Sequence, residues 1–184
     1  MHKNELKSLV DEITRQFRVS GEIIDITPFG LGLINDTFKV STEKCQHANY
    51  ILQKINRTVF SQPRLIIDNM RTTLEHISKK HSDSDKLVFP KLCATKAGEF
   101  FAVDQDQQVW RMLEFIENTI SYETITSTSL AEEVGHTLGR FHCLTHDLSP
   151  EKLNDILPHF HITPSYYREY CAARKSYSTL KNDK

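Results

Sequence analysis

The stretch "GLGLINDTF", residues 30–38, is the strongest constraint on how this chain folds. Gly30 and Gly32, followed by Asn35-Asp36-Thr37, interrupt what otherwise reads as continuous β structure. Before them "EIIDITPF" alternates as a strand does. After them come "TFKVST" and "NYILQKIN", joined by the polar segment "EKCQHA" that suits a hairpin. Two readings of the glycine stretch stand side by side. One is an ordinary glycine-rich turn. The other is a backbone shaped to cover a phosphate, because glycines admit close approach and the N–H groups of a tight turn form an anion-binding concavity.

The flanking segments give the fold class. Leu6, Leu9, Val10, Ile13 and Phe17 recur at helical spacing over residues 3–18. Pro63 opens a second helical pattern, residues 63–80, with Leu65, Ile66, Met70, Leu74 and Ile77 on one face. Residues 86–117 hold three short β-like runs, with turns at Ala97-Gly98 and at 104–107. Helix, three strands, helix and two or three further strands predict an α+β lobe: an antiparallel sheet with one crossing helix. Composition shifts after Asn118. The spacing predicts a helix over 127–148, with Ser129 as N-cap, Glu132 three residues on, and Leu130, Val134, Leu138, Phe141 and either Cys143 or Leu144 as its apolar stripe. A proline-punctuated segment comes next, and then one last helix from Ser165.

Charge and composition exclude several functions. A formal net charge of -1 gives no general pull toward nucleic acid or an anionic membrane surface. The first seventeen residues carry charges throughout and contain no apolar core of a signal peptide, and no uninterrupted apolar run is long enough to span a bilayer. Cys45, Cys93, Cys143 and Cys171 are far apart and read as reduced, mostly buried thiols, so a cytoplasmic location is expected. The Asn35 and Asn56 sequons are then chance matches.

Four stretches, in order, carry a family resemblance: "GLGLINDTFKV" (30–40), "YILQKINRTVFSQPRLIIDNM" (50–70), "VWRMLEFIE" (109–117) and "LPHFHITPSYYREY" (157–170). Together they resemble the aminoglycoside phosphotransferase and choline kinase superfamily, and more narrowly the N-acetylhexosamine 1-kinase group of sugar kinases. The resemblance implies a protein-kinase-like small lobe over 1–117 and the start of a helical large lobe over 118–184. It also implies ATP with Mg2+ as cofactors and a sugar as substrate. Gly30, Gly32, Asn35 and Thr37 would lie over the ATP phosphates. The third strand would supply a basic residue that steadies them: Lys54 has the charge, Gln53 is its neighbour, and adjacent strand residues face opposite sides of a sheet. Asp68, Asn69 or Glu75 on the next helix would be the partner. Ile116, Glu117 and Asn118 would form the adenine hinge, read through backbone groups. Trp110 and Arg111 read as packing and a surface charge. Where relatives read Phe-His-Asp-Thr, this chain has Ile162 at the acidic position, which removes one expected sugar contact. Tyr167 and Arg168, a few residues on, match the family.

The resemblance also identifies a family element that these residues do not contain. The superfamily's catalytic loop is of His-Gly-Asp type, and its Asp takes the proton of the attacking hydroxyl; a later acid holds magnesium. No Gly-Asp dipeptide occurs in the chain. His146-Asp147 has the wrong spacing for a substitute. Asp83-x-Asp85 and Asp104-x-Asp106 have the look of metal pairs but read as solvated turns. No catalytic residue and no metal ligand is therefore assigned. The chain is expected to end before the catalytic loop, to be inactive alone, and to expose apolar surface along Leu138, Phe141 and Leu144 that favours self-association or a partner carrying the missing lobe. The alternatives are a non-catalytic nucleotide-binding or partner-binding remnant, and an unrelated α+β domain.

Overall fold

A computed structural model describes residues 3–182 except 31, 44–48, 81–86 and 159. Helix α1 spans Lys3–Thr14, and strands β1 (Ile23–Pro28), β2 (Asp36–Thr42) and β3 (Tyr50–Lys54) come after it. Helix α2 spans Pro63–Ser78. Strands β4 (Ala102–Val103) and β5 (Val109–Glu114) complete an antiparallel sheet of order β1-β2-β3-β5-β4. Helices α3 (Thr128–Thr145) and α4 (Thr163–Asn182) come last, with a short 3-10 turn at Pro150–Lys152 between them. The α+β architecture agrees with the pattern in the sequence.

One sheet face is the core. Phe38, Val40, Tyr50, Leu52, Trp110 and Met112 alternate inward and bury Val10 and Ile13 of α1 beneath them. Phe17 joins this core, but not from the helix. The chain leaves helical form after Thr14, whose hydroxyl donates to the Val10 carbonyl, and Phe17 pairs with Thr95 as a β-bridge. Strand pairing thus ends the helix before the residue 18 predicted from spacing. Free Cys93 lies in the same core, and burial pushes its thiol up to about 12, with Glu114 adding to the shift. Cys143 is exposed and Cys171 half-buried, so the expectation of mostly buried thiols holds for Cys93 alone among the three described.

The opposite face carries α2. Ile67 packs against Ile55 and Val109. The predicted stripe omits Ile67, which is buried against the sheet with Ile66 packed beside it, while Leu74 and Ile77 line a groove with Leu87 and Phe89. Helix α3 is capped by Ser127, whose hydroxyl accepts from the Leu130 N–H at 3.2 Å; the predicted cap, Ser129, lies inside the first turn. Two polar clasps join α2 to the helical part of the chain. Asn69 accepts from the backbone N–H of Asn154 at 2.7 Å and donates to its carbonyl at 2.9 Å. Asp147, just past α3, accepts from Lys80 and meets His76.

Hydrophobic burial is uneven along the chain. After Asn118 the one buried hydrophobic residue among those described is Leu144. Val134, Leu138 and Phe141 of α3 are exposed by 50, 53 and 37%, as are Tyr166, Tyr167 and Tyr170 of α4 by 44, 67 and 59%. The apolar patch expected on α3 is present at Leu138 and Phe141; Leu144 instead turns inward.

Candidate functional site

The α2 side of the sheet is only partly covered. Phe29, Thr37, Lys39, Gln53, Arg111 and Phe115 share it by strand register and are not fully buried. Phe29 meets Phe115 edge-to-face at 5.5 Å between centroids, and the Lys39 amine sits 4.2 Å from the Phe115 ring centre. These contacts form one wall at the β1–β2 end of the face.

A polar row crosses three strands on this face. Thr37 is the register partner of Gln53, and Gln53 of Arg111. The Gln53 side-chain amide donates to the Thr37 hydroxyl at 3.0 Å. Its carbonyl oxygen accepts two bonds from Arg111, from Nε at 3.0 Å and from Nη2 at 2.8 Å. Arg111 Nη1 reaches the Met70 sulfur of α2 at 3.6 Å. Burial lowers the Arg111 pKa, and among the described residues no carboxylate bonds to it. The row therefore ties the loop to α2 through a largely desolvated cation.

The loop itself is held from two directions. Gly30 has φ +77°, a left-handed conformation that favours glycine, with open space where a Cβ would stand. Gly32 takes no left-handed φ, and an added Cβ there would meet only the Asn35 carbonyl at 3.7 Å. Gly30 is thus required by the turn, and Gly32 is not. The Asn35 side chain accepts from the Asn56 N–H at 3.0 Å, and the Asn56 amide donates to the Ile34 carbonyl at 3.1 Å. The asparagines of both sequons serve this clasp. Leu33, two residues before Asn35, projects fully exposed.

Residues 116–118 continue from β5 as a sharp turn. Asn118 adopts φ +57°, which asparagine tolerates better than most side chains. The Ile116 carbonyl accepts from the Thr119 hydroxyl at 3.0 Å, and Glu117 is fixed by the Asn49 amide at 2.7 Å. The first bond engages the Ile116 main chain and the second only the Glu117 side chain.

Lys54 stands apart from this constellation. It shares a face with its register partner Trp110, 5.8 Å from the ring centre, and pairs with Asp36 at 2.5 Å. Its amine lines an open polar depression with Ile34, Asn56 and Arg57, on the side of the sheet away from α2. Of the loop residues, Thr37 therefore meets Gln53 and through it Arg111, whereas the Asn35 side chain is held by Asn56, which lines the same depression as Lys54. The reason is strand parity: Gln53 occupies the α2-facing position and Lys54 the next one. None of the suggested helix partners reaches either residue. Asn69 is engaged by Asn154, Glu75 lies 4.0 Å from Arg71, and Asp68 is exposed beside Arg64.

Two expected bystanders have structural roles. Asp104 is buried, not solvated. Its carboxylate accepts from the Asp106 and Gln108 N–H groups and from the Trp110 indole at 2.8 Å, so it closes the β4–β5 turn and satisfies a buried donor. Asp147 serves the α2–α3 clasp, and hydrogen bonds from Lys80 and then His76 hold its carboxyl well below the usual carboxylate range. Asp83-x-Asp85 lies outside the described residues. Among the described residues no group of three or more acidic, histidine or cysteine side chains is placed to hold a metal ion. Nor is any helix among them long and apolar enough to cross a membrane.

A five-stranded antiparallel sheet with a crossing helix, a glycine loop at one end, and helices after a short connecting turn define the architecture of a kinase-like small lobe joined to part of a helical lobe. Among solved structures the chain is similar to amicoumacin kinase hAmiN, determined in complex with AMP-PNP, Ca2+ and Ami, with a TM-score of 0.55 and 18% identity over 80% of this chain. The alignment covers 44% of that kinase, so this chain spans less than half its length. At that identity the likeness establishes the fold. No family model matches the chain.

Proposed function

We propose that this chain is the nucleotide-binding portion of an ATP-dependent phosphotransferase. Residues 1–117 form its nucleotide lobe and 118–184 open its helical lobe. One observation carries the reading: Thr37, at the end of the glycine loop, is joined through Gln53 to a guanidinium that bonds no carboxylate among the described residues, on a partly open sheet face. Such a face suits a polyphosphate. The kinase-like fold supports the same reading, since the kinase of similar fold was solved with a nucleotide analogue. In this proposal Gly30, Gly32, Asn35 and Thr37 lie over the phosphates, and Ile116, Glu117 and Asn118 meet the adenine through backbone groups. Lys54 supports the loop through Asp36.

The finer reading is a sugar kinase of the N-acetylhexosamine 1-kinase type, transferring the γ-phosphoryl group to a sugar hydroxyl. The ordered match of the four stretches supports it. Magnesium, when bound, would neutralise charge on the transferring phosphates. Because the chain contains no Gly-Asp of a catalytic loop, we propose that it binds nucleotide without transferring phosphate. The exposed residues of α3 and α4 support a covering surface, from the rest of a large lobe or a second chain. A non-catalytic nucleotide-binding or partner-binding module is the second reading, favoured by the same exposed helices. A cytoplasmic place fits both.

Titration calorimetry with Mg–ATP, and then a coupled ADP-release assay with N-acetylhexosamines, tests the proposal. Binding without turnover is expected. Absence of binding would remove the nucleotide reading, and measurable turnover would overturn the inference of inactivity from the missing base.

A further inference from the structure

Arg111 is an unusual group to find in the middle of a sheet. It occupies the centre of β5, between buried Trp110 and Met112, and burial lowers its pKa. A guanidinium in such a place normally meets a carboxylate, because desolvation without a counter-charge is costly. Here its partners among the described residues are a neutral amide and a thioether. Three of its five N–H donors are engaged by those contacts, which leaves two without a protein partner among the described residues, on a side chain of the partly open α2-side face. The two bonds to the single Gln53 oxygen fix the plane of the guanidinium. Gln53 is itself fixed by Thr37, the last polar residue of the glycine stretch.

We propose that Arg111, oriented by Gln53, is the cationic ligand for the phosphates of the nucleotide, in the role for which Lys54 is the residue of obvious charge. The inference rests on the nucleotide reading and adds to it the residue that supplies the positive charge. It also accounts for Gln53: an amide on the third strand presents the cation of the neighbouring strand without neutralising it. A Lys at position 53 would repel Arg111, and a Glu would cancel it. The counter-charge that the described residues do not supply is then the ligand's, a di- or triphosphate whose oxygens accept the remaining N–H groups in charge-assisted bonds.

The test compares ADP with adenosine as ligands of the full chain, in the wild type, Arg111→Met, Arg111→Lys and Lys54→Met. The wild type is expected to prefer ADP. Arg111→Met should lose about tenfold to a hundredfold in ADP affinity, the range of a charge-assisted contact, and leave adenosine affinity unchanged. Arg111→Lys should recover part of the loss, since it restores the charge but not the fork geometry. Lys54→Met should lose less ADP affinity than Arg111→Met, since Lys54 acts on the loop only through Asp36, and a loss as large as that of Arg111→Met would overturn the proposal. Melting without ligand provides the control for folding: Arg111→Met should be at least as stable as the wild type, because an uncompensated desolvated charge is removed. A parallel loss of stability and of both affinities would mark a structural role and overturn the proposal. ADP binding by Arg111→Met equal to wild type would overturn it while leaving the nucleotide reading intact. A wild type that binds neither ligand would overturn both.

Discussion

Gly30 and Gly32 look alike in sequence but have different duties. Gly30→Ala should destabilise the chain by about 1–2 kcal/mol, the cost of a left-handed φ for a residue with a Cβ, measured by thermal or urea unfolding. Gly32→Ala has no such strain to bear and should leave stability within a few tenths of that of the wild type, or raise it slightly by stiffening the unfolded chain. Its expected effect is on ADP affinity, because a methyl group on the loop would keep the backbone from the phosphate. Loss of stability in both variants, with affinity unchanged, would reduce the stretch to a turn. Asp104 gives a second contrast. Asp104→Ala would strand the buried Trp110 indole N–H and two backbone donors, and should cost about 3 kcal/mol. The glycine stretch was legible from its letters. Asp104 and Arg111 were not, because a charged letter in a turn or strand says nothing of its burial until the sheet is assembled. The one available signal for Arg111 was its place inside "VWRMLEF", an otherwise apolar run.

The residues after α3 and those of α2 are joined by polar clasps. Asp147 joins α2 to the end of α3. Its carboxyl is charged more readily in the folded chain than its ordinary value of 3.8 allows. Its contribution is therefore complete above that value and fades as the pH falls below it, through the lower folded-state value. Amides of α3 should exchange faster at pH 3 than at pH 6, after correction for intrinsic rates, while the protection of β3 and β5 is retained. Because the pair is exposed, salt should weaken the difference. Equal change in α3 and the sheet would argue against a local clasp. At α4, Ile162 immediately precedes the helix and accepts from the Ser165 N–H through its carbonyl, but it offers no side-chain acceptor. Ile162→Asp should supply an N-cap and stabilise the helix by about 1 kcal/mol, read as slower exchange in its first turns. Periodicity located α1, α2 and α3, and the last helix, expected from Ser165, begins at Thr163. The pattern missed the end of α1, where a β-bridge outcompetes helix, and the cap of α3, where Ser127 and not Ser129 lies outside the first turn.

The molecule divides into a well-packed sheet lobe and a helical region with little core of its own among the described residues. Its exposed Val134, Leu138 and Phe141 should bind a hydrophobic dye and promote concentration-dependent association, seen by light scattering; a monodisperse monomer without dye binding would contradict this. The order of elements could be read from spacing because each depends on near neighbours in sequence. The sidedness of the sheet could not, since a shift of one residue exchanges Gln53 for Lys54. That exchange decides where a phosphate would meet the chain, on the α2-side face with Arg111 or in the depression beside Lys54 and Arg57. Amide chemical-shift mapping during titration with Mg–ADP distinguishes the two. Perturbations are expected to cluster at Gly30, Thr37, Gln53, Arg111 and residues 116–118. Perturbations confined to Lys54, Arg57 and Gln108, or none at all, would contradict a phosphate site on the Arg111 face.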